Sequence, residues 1–407
     1  MQRTQSAMIA WFVWFLASFF YAYQYILRVL PNIMMSDILQ KFHIEAGAFG
    51  QYSGLYYLGY AGMHIPLGLL LDKYGPKRIL PICMLLTSLG VLPMIYSENW
   101  VYPTLGRFLI GIGSSAAILG VFKIIRMTFE AKHFTRMLGF SVTIGLLGAI
   151  YGGQPVNYLM GNFGYEIVLK VIAATGILLA IATYMVIPHH QSEPHSQSIM
   201  QEVKLVLTNK MVIAICLLAG MMVGPLEGFA DVWGKEYLKT SYGLEDSFAA
   251  TAPSMIFLGM CIGSSLMSLV AERTRAYYEI IITSAIVMGA IFTGLLLGFF
   301  PPQALSIVFL IVGVFCAYQI LSIYKASTYV PTHLMGLTTA IANMIIMTFG
   351  YIFHSLIGKI MDIYWDGQIV DGTAIYQAKA FAMSLSVIPM ALLLATIGYS
   401  YIYFKEK

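Results

Sequence analysis

Two groups of side chains in this 407-residue sequence are of types that could bind a charged small molecule. Tyr21, Gln24, Tyr25 and Arg28 recur at i, i+3, i+4 and i+7, which puts them on one face of a helix. A guanidinium there would fork onto a carboxylate or phosphate. Glu227 and Asp231, four residues apart, share a second face and could hold an ammonium or carry a proton. Both groups lie in long apolar runs, where an ionisable residue costs at least about 2.5 kcal/mol at the bilayer centre and is a functional candidate by default. Arg28 either lines a cavity or snorkels to the headgroups; the apolar run Val29–Met35 beyond it argues for depth. A structural Arg28–Glu227 ion pair is the alternative to a shared ligand.

Other polar residues in apolar runs are candidate cavity lining: Tyr56, Tyr57, Gln154, Trp233, Tyr318, Gln319 and Asn343. For most of these, an interhelical hydrogen bond explains the residue equally well. Lys123, Arg126 and Lys325 sit near the ends of their runs, where snorkelling or gate pairing is expected. His354 and Asp362 are candidate proton carriers, although a lone helical histidine is more often simply hydrogen-bonded. Pro225 and glycines 220, 224, 228 and 234 are expected to loosen the helix that carries Glu227 and Asp231.

The elements that position these residues are membrane helices. The chain is 59% hydrophobic and 10% charged, whereas soluble domains carry roughly a quarter charged residues. Spanning the hydrocarbon takes about 20 apolar residues. Twelve stretches qualify: 8–34, 48–71, 79–96, 101–127, 135–160, 166–187, 210–238, 248–271, 277–299, 303–327, 334–362 and 376–403. A polar stretch after the sixth divides the chain into residues 1–187, a linker at 188–209, and residues 210–407. Three linker histidines in Ser/Gln/Pro company read as a solvated loop, and no metal site is expected. The first apolar run reads as an uncleaved first helix. Lys and Arg concentrate on one side, as the positive-inside rule requires if both termini are cytoplasmic. The net charge of +4 therefore reflects topology, and no nucleic-acid partner is expected. The four cysteines fall in apolar segments as packing thiols, and the abundant aromatics suit interfacial belts. No phosphate-binding loop, cofactor motif or catalytic constellation is expected, so the chain does not read as an enzyme.

The run Gly68-Leu-Leu-Leu-Asp72-Lys-Tyr-Gly75-Pro-Lys77-Arg78 resembles the loop between helices two and three of major facilitator superfamily transporters. Ser268-Leu-Val-Ala-Glu272-Arg273-Thr-Arg275 is a worn copy in the second half. Gly106-Arg107-Phe-Leu-Ile-Gly111-Ile-Gly113 resembles that superfamily's intramembrane-arginine motif, often linked to proton coupling. Gly145–Gly153 resembles its antiporter glycine motif, with Ala149 in place of proline, although close helix packing accounts for those glycines. The resemblance implies an all-α integral membrane fold of twelve helices, in two pseudo-symmetric six-helix bundles with substrate bound between them. It also implies a gating role for Asp72 at the start of the eleventh span, near Thr332–Gly336, and a monomer.

The tyrosine-rich run ending at Arg28 resembles span one of the organophosphate:phosphate antiporters. Their second arginine is replaced here by Glu227, which suits a zwitterion better than a dianion. Leu-Arg28-Val-Leu-Pro31 and Ala230-Asp231-Val-Trp233-Gly resemble the intraphagosomal amino-acid and lysosomal dipeptide transporter branches. These features imply a carrier of amino acids or short peptides in a bacterial inner membrane, with proton coupling through Glu227, Asp231, Arg107 or His354. An organic-anion or sugar-phosphate exchanger and multidrug efflux are the alternatives.

Overall fold

The computed structural model describes residues 7–188, 199–370 and 372–406. The linker histidines lie outside them, and among the described residues no group of three His, Cys, Asp or Glu could hold a metal ion. Among the described residues, eleven helices are long and apolar enough to cross a membrane. They are α1 (Met8–Phe42), α3 (Pro76–Tyr96), α4 (Val101–Thr128), α5 (Arg136–Phe163), α6 (Tyr165–Val186), α7 (Lys210–Tyr242), α8 (Asp246–Thr274), α9 (Tyr277–Leu296), α10 (Pro302–Ser327), α11 (Thr332–Ile363) and α12 (Ala378–Glu406). The twelfth expected span is α2 (Ala46–Tyr74), 29 residues long. It has the length but is more polar, because Gln51, Ser53, His64, Asp72 and Lys73 interrupt it. Within the expected linker, Ile199–Thr208 is a short helix.

Side chains that would be liabilities on a soluble protein face outward. Leu178, Ile181 and Met185 on α6, and Met390, Leu393 and Ile397 on α12, are exposed. Lipid is the solvent that such a surface requires, and it obliges backbone groups to find their partners within the protein.

Packing divides the chain into two compact units, Met1–Arg28 with Leu58–Ser196, and Val29–Tyr57 with Gln197–Lys407. The boundary inside α1 falls next to Pro31, a helix-interior proline. Proline has no N–H to give the carbonyl four residues back, so the Leu27 carbonyl loses its helical donor. Inside the first unit the buried Arg107 supplies one: Nη1 donates to the Leu27 carbonyl at 2.6 Å and Nη2 to the Arg28 carbonyl at 2.9 Å. Close packing in each unit depends on glycines. A methyl group added at Gly148 would meet the Ala22 Cα at 2.7 Å, and one at Gly259 the Gly313 Cα at 2.9 Å. The tight-packing reading of the α5 glycines therefore has its contact partner in α1.

The two loops that carry an acid followed by cations share a positive φ but not a backbone conformation. Asp72 is followed three residues later by Gly75 with φ 77°, and Glu272 three residues later by Arg275 with φ 58°. Gly75 combines this φ with ψ 162° and caps the start of α3, whereas Arg275 has ψ 14° and ends its helix in the left-handed conformation. Glycine adopts a positive φ freely, whereas Arg275 does so under strain.

Candidate functional site

In the second unit, α7 is not α-helical throughout. Between Lys210–Met221 and Gly234–Tyr242, residues Gly224–Trp233 form a π-helix in which every residue is buried. Pro225 cannot donate to the Met221 carbonyl, and the neighbouring glycines lower the cost of the wider turn. The loosening expected from these residues thus takes a definite form, at the two carboxylates. Glu227 is 1% exposed and Asp231 0%. The Tyr57 hydroxyl of α2 meets both, donating to Glu227 Oε2 at 2.6 Å and bonding Asp231 Oδ2 as well.

Around this core, the Tyr57 ring lies 5.3 Å from Tyr56 and 5.4 Å from the buried His354 imidazole of α11. Trp233 packs edge-on against Phe49, 5.4 Å between centroids, and its buried indole N–H has no acceptor among the described residues. Tyr318 is buried and donates to the Ala219 carbonyl at 2.8 Å, so its hydroxyl serves the backbone of α7. Gln319 is buried and Asn343 half-buried.

The helical segment Val29–Tyr57 is held onto this unit at several depths. Asn32 donates to the Ala230 carbonyl and accepts from the Lys235 N–H. At the start of α2, the Gly47 N–H donates to Asp362 Oδ2 at 2.8 Å and the Ala46 N–H to the Tyr376 hydroxyl at 2.9 Å. Tyr376 in turn donates to Asp362 Oδ1 at 2.7 Å. A carboxylate there satisfies orphan N–H groups and complements the helix dipole. Asp362, expected as a proton carrier, is placed as a cap. Gly47, Gly50 and Gly54 line the same helix face, and a Cβ at any of them would collide with α11.

In the first unit, Tyr21, Gln24, Tyr25 and Arg28 are all buried. Their expected common face is real: the Tyr21 and Tyr25 rings are 5.2 Å apart, and Arg28 Cζ lies 5.0 Å over the Tyr25 ring. α1 runs to Phe42, eight residues past the expected end at 34, so Arg28 is interior to the helix and not at a snorkelling end. Gln154 is half-buried and accepts weakly from Asn157 at 3.4 Å. Arg107 grips the backbone of α1, and a guanidinium does not deprotonate in proteins, so bracing is the chemistry it can supply. Asp72 pairs with Lys123 at 2.7 Å, which settles Lys123 as a pairing cation. Arg78 is exposed and Gly68 and Lys77 are half-buried; in the other unit Glu272 and Arg273 are exposed. Lys325 pairs with Glu406 at 3.6 Å and lies 4.3 Å over the Tyr278 ring.

Asn32 and Tyr376 escaped the sequence reading. Asn32 had a signal, since it continues the Tyr21–Arg28 face at i+4 as a polar residue in an apolar run. Tyr376 had none: the expected twelfth span begins at it, whereas the structure puts it just before α12.

Residues 8–354 match the family model described as Major Facilitator Superfamily. A quinolone resistance transporter of Acinetobacter baumannii is 25% identical over 165 residues, 39% of this chain and 38% of that protein. A Bacillus subtilis protein named "Probable galactarate/D-glucarate transporter GudP" is 20% identical over 304 residues, 66% of this chain and 67% of that protein. The chain thus matches well under half of the first relative's length and about two thirds of the second's. In fold, it superposes on a bacterial homolog of the human lysosomal transporter Spinster with TM-score 0.77 at 16% identity, covering 96% of each chain.

Proposed function

Because the chain belongs to the Major Facilitator Superfamily, we propose that it is a secondary transporter of small zwitterions, amino acids or short peptides, coupled to protons and working by alternating access. The observation that carries the reading is the Tyr57 hydroxyl bonded to two buried carboxylates. A phenol has one proton to donate. Two carboxylates buried this close to one hydroxyl are candidates to share a proton during transport. When that proton leaves, a substrate ammonium is the natural replacement; in the first unit, taken by itself, Arg28 is a buried cation of the kind that suits a carboxylate. Asp72 and its motif serve the gate and not the solute. The termini are cytoplasmic by the distribution of lysine and arginine, in a bacterial inner membrane, and the working unit is a monomer.

A second reading, an organic-anion carrier, is favoured by Arg28 together with the galactarate/D-glucarate relative. Uptake into proteoliposomes separates the two. Amino acids, dipeptides, sugar acids and sugar phosphates are each offered with and without an inward proton gradient. Zwitterion uptake that rises with the gradient, and loses its pH dependence in Glu227→Gln, supports the proposal. Anion uptake that survives Glu227→Gln replaces it with the second reading.

A further inference from the structure

Asn32 lies four residues beyond Arg28 on α1 and is 4% exposed. Its amide spans the end of the π-helix: Nδ2 donates to the Ala230 carbonyl at 3.2 Å, and Oδ1 accepts from the Lys235 N–H at 3.0 Å. Ala230 and Lys235 are five residues apart, the acceptor and donor that a π-helix pairs directly. One residue earlier that direct pair exists, with the Gly234 N–H on the Phe229 carbonyl. The asparagine is therefore wedged into the backbone ladder at the point where the π turn gives way to the α-helix Gly234–Tyr242. The Ala230 carbonyl belongs to the peptide unit that leads into Asp231. On the same segment, Val29–Tyr57, another anchor on α7 is Tyr57, which bonds the Asp231 carboxylate itself.

We infer that Asn32 is a positioning residue for the carboxylate pair, setting the π register that brings Glu227 and Asp231 to Tyr57 and tying it to the seating of Val29–Tyr57. The inference rests on the proton-coupling reading for its functional consequence and on the hydrogen bonds alone for its structural one. When the segment lifts, the amide leaves, and Ala230 and Lys235 find other backbone partners. The angle between the two carboxylates then changes, and with it their hold on a proton. Seating and protonation thereby become one event. A residue that only glued helices together would lower stability and leave the proton affinity alone.

The test uses the full chain in lipid nanodiscs and proteoliposomes, as wild type, Asn32→Leu and Asn32→Asp. Leucine keeps the approximate volume without an amide; aspartate keeps an acceptor for the Lys235 N–H. Hydrogen exchange is followed on peptides covering 224–242, and the pH profile of uptake is recorded in parallel. Asn32→Leu is expected to speed exchange around Gly234 and Lys235 about tenfold, the scale of one lost buried hydrogen bond. It is also expected to move the pH midpoint of uptake by about one unit, a tenfold change in proton affinity. Asn32→Asp recovers part of both, and supplies the same readouts if the leucine variant is not recovered folded. Unchanged exchange across 224–242 overturns the inference, as does an unmoved pH midpoint in a variant that merely melts earlier. Wild-type uptake indifferent to pH removes the proton reading itself. Exchange alone then decides, acceleration supporting the positioning role and its absence ending it.

Discussion

The pairing of Arg107 with the carbonyl that Pro31 leaves without a donor makes a prediction that two mutations can check. Arg107→Leu removes both guanidinium bonds, at 2.6 and 2.9 Å, from the α1 backbone. The Arg28 carbonyl keeps its ordinary helical donor, but the Leu27 carbonyl has none, and a buried acceptor left unmet costs about 1–3 kcal/mol. Pro31→Ala restores an N–H in register with Leu27 and removes a helix-interior proline, itself worth about 3 kcal/mol against helix stability. The second mutation should therefore rescue the first. The expected coupling between them is about 1–2 kcal/mol, well above the roughly 0.5 kcal/mol scatter of independent sites. Thermal unfolding read by a thiol-reactive dye suits the purpose, because Cys83, Cys216 and Cys316 are buried and report on opening. At about 2–4 °C per kcal/mol, Arg107→Leu should lower the midpoint by several degrees and Pro31→Ala should return part of it. Strictly additive shifts would refute the argument, for then Arg107 would not be substituting for the missing proline N–H.

Four further outcomes are expected. Tyr57→Phe deletes the hydroxyl shared by Glu227 and Asp231 and should alter the pH profile of uptake far more than the melting temperature; equal effects would argue for a packing role. Asp362→Asn weakens the cap on the Ala46 and Gly47 N–H groups by about 1 kcal/mol, and should speed labelling of a cysteine placed at Phe42 about fivefold. Burial above all pushes the Tyr376 phenol above its ordinary range, so this latch should hold through neutral pH. Unfolding lets that phenol ionise at its ordinary value, so the tyrosine's contribution declines above about pH 10 and not below it; wild type and Tyr376→Phe compared across that range check the sign. Gly259→Leu drives a side chain into Gly313 across the α8–α10 crossing, and should cost about 1–3 kcal/mol or more, seen as lower recovery and an earlier melt.

What the sequence determined by itself is what short stretches of chain control. Apolar length places eleven of the expected spans to within a few residues at most ends, α1 being the main exception, and α2 matches its expected span in length while being more polar. Pro225 and its glycines mark where α7 departs from the α-helix, and the run Gly68–Arg78 with its worn copy Ser268–Arg275 marks the helix ends near Gly75 and Arg275. The common face of Tyr21, Gln24, Tyr25 and Arg28 also follows from helical period alone. Tertiary structure decided which distant groups meet. The meeting of Tyr57 with Glu227 and Asp231, of Arg107 with the α1 carbonyls, of Lys123 with Asp72, and of Asp362 and Tyr376 with the start of α2 joins residues 51 to 330 positions apart, apart from the local Asp362–Tyr376 pair. Periodicity says which side chains share a face, but it does not say which other face that one will meet. That choice is made when glycines such as Gly47, Gly50 and Gly54 let backbones approach closely enough for single hydrogen bonds to select a partner.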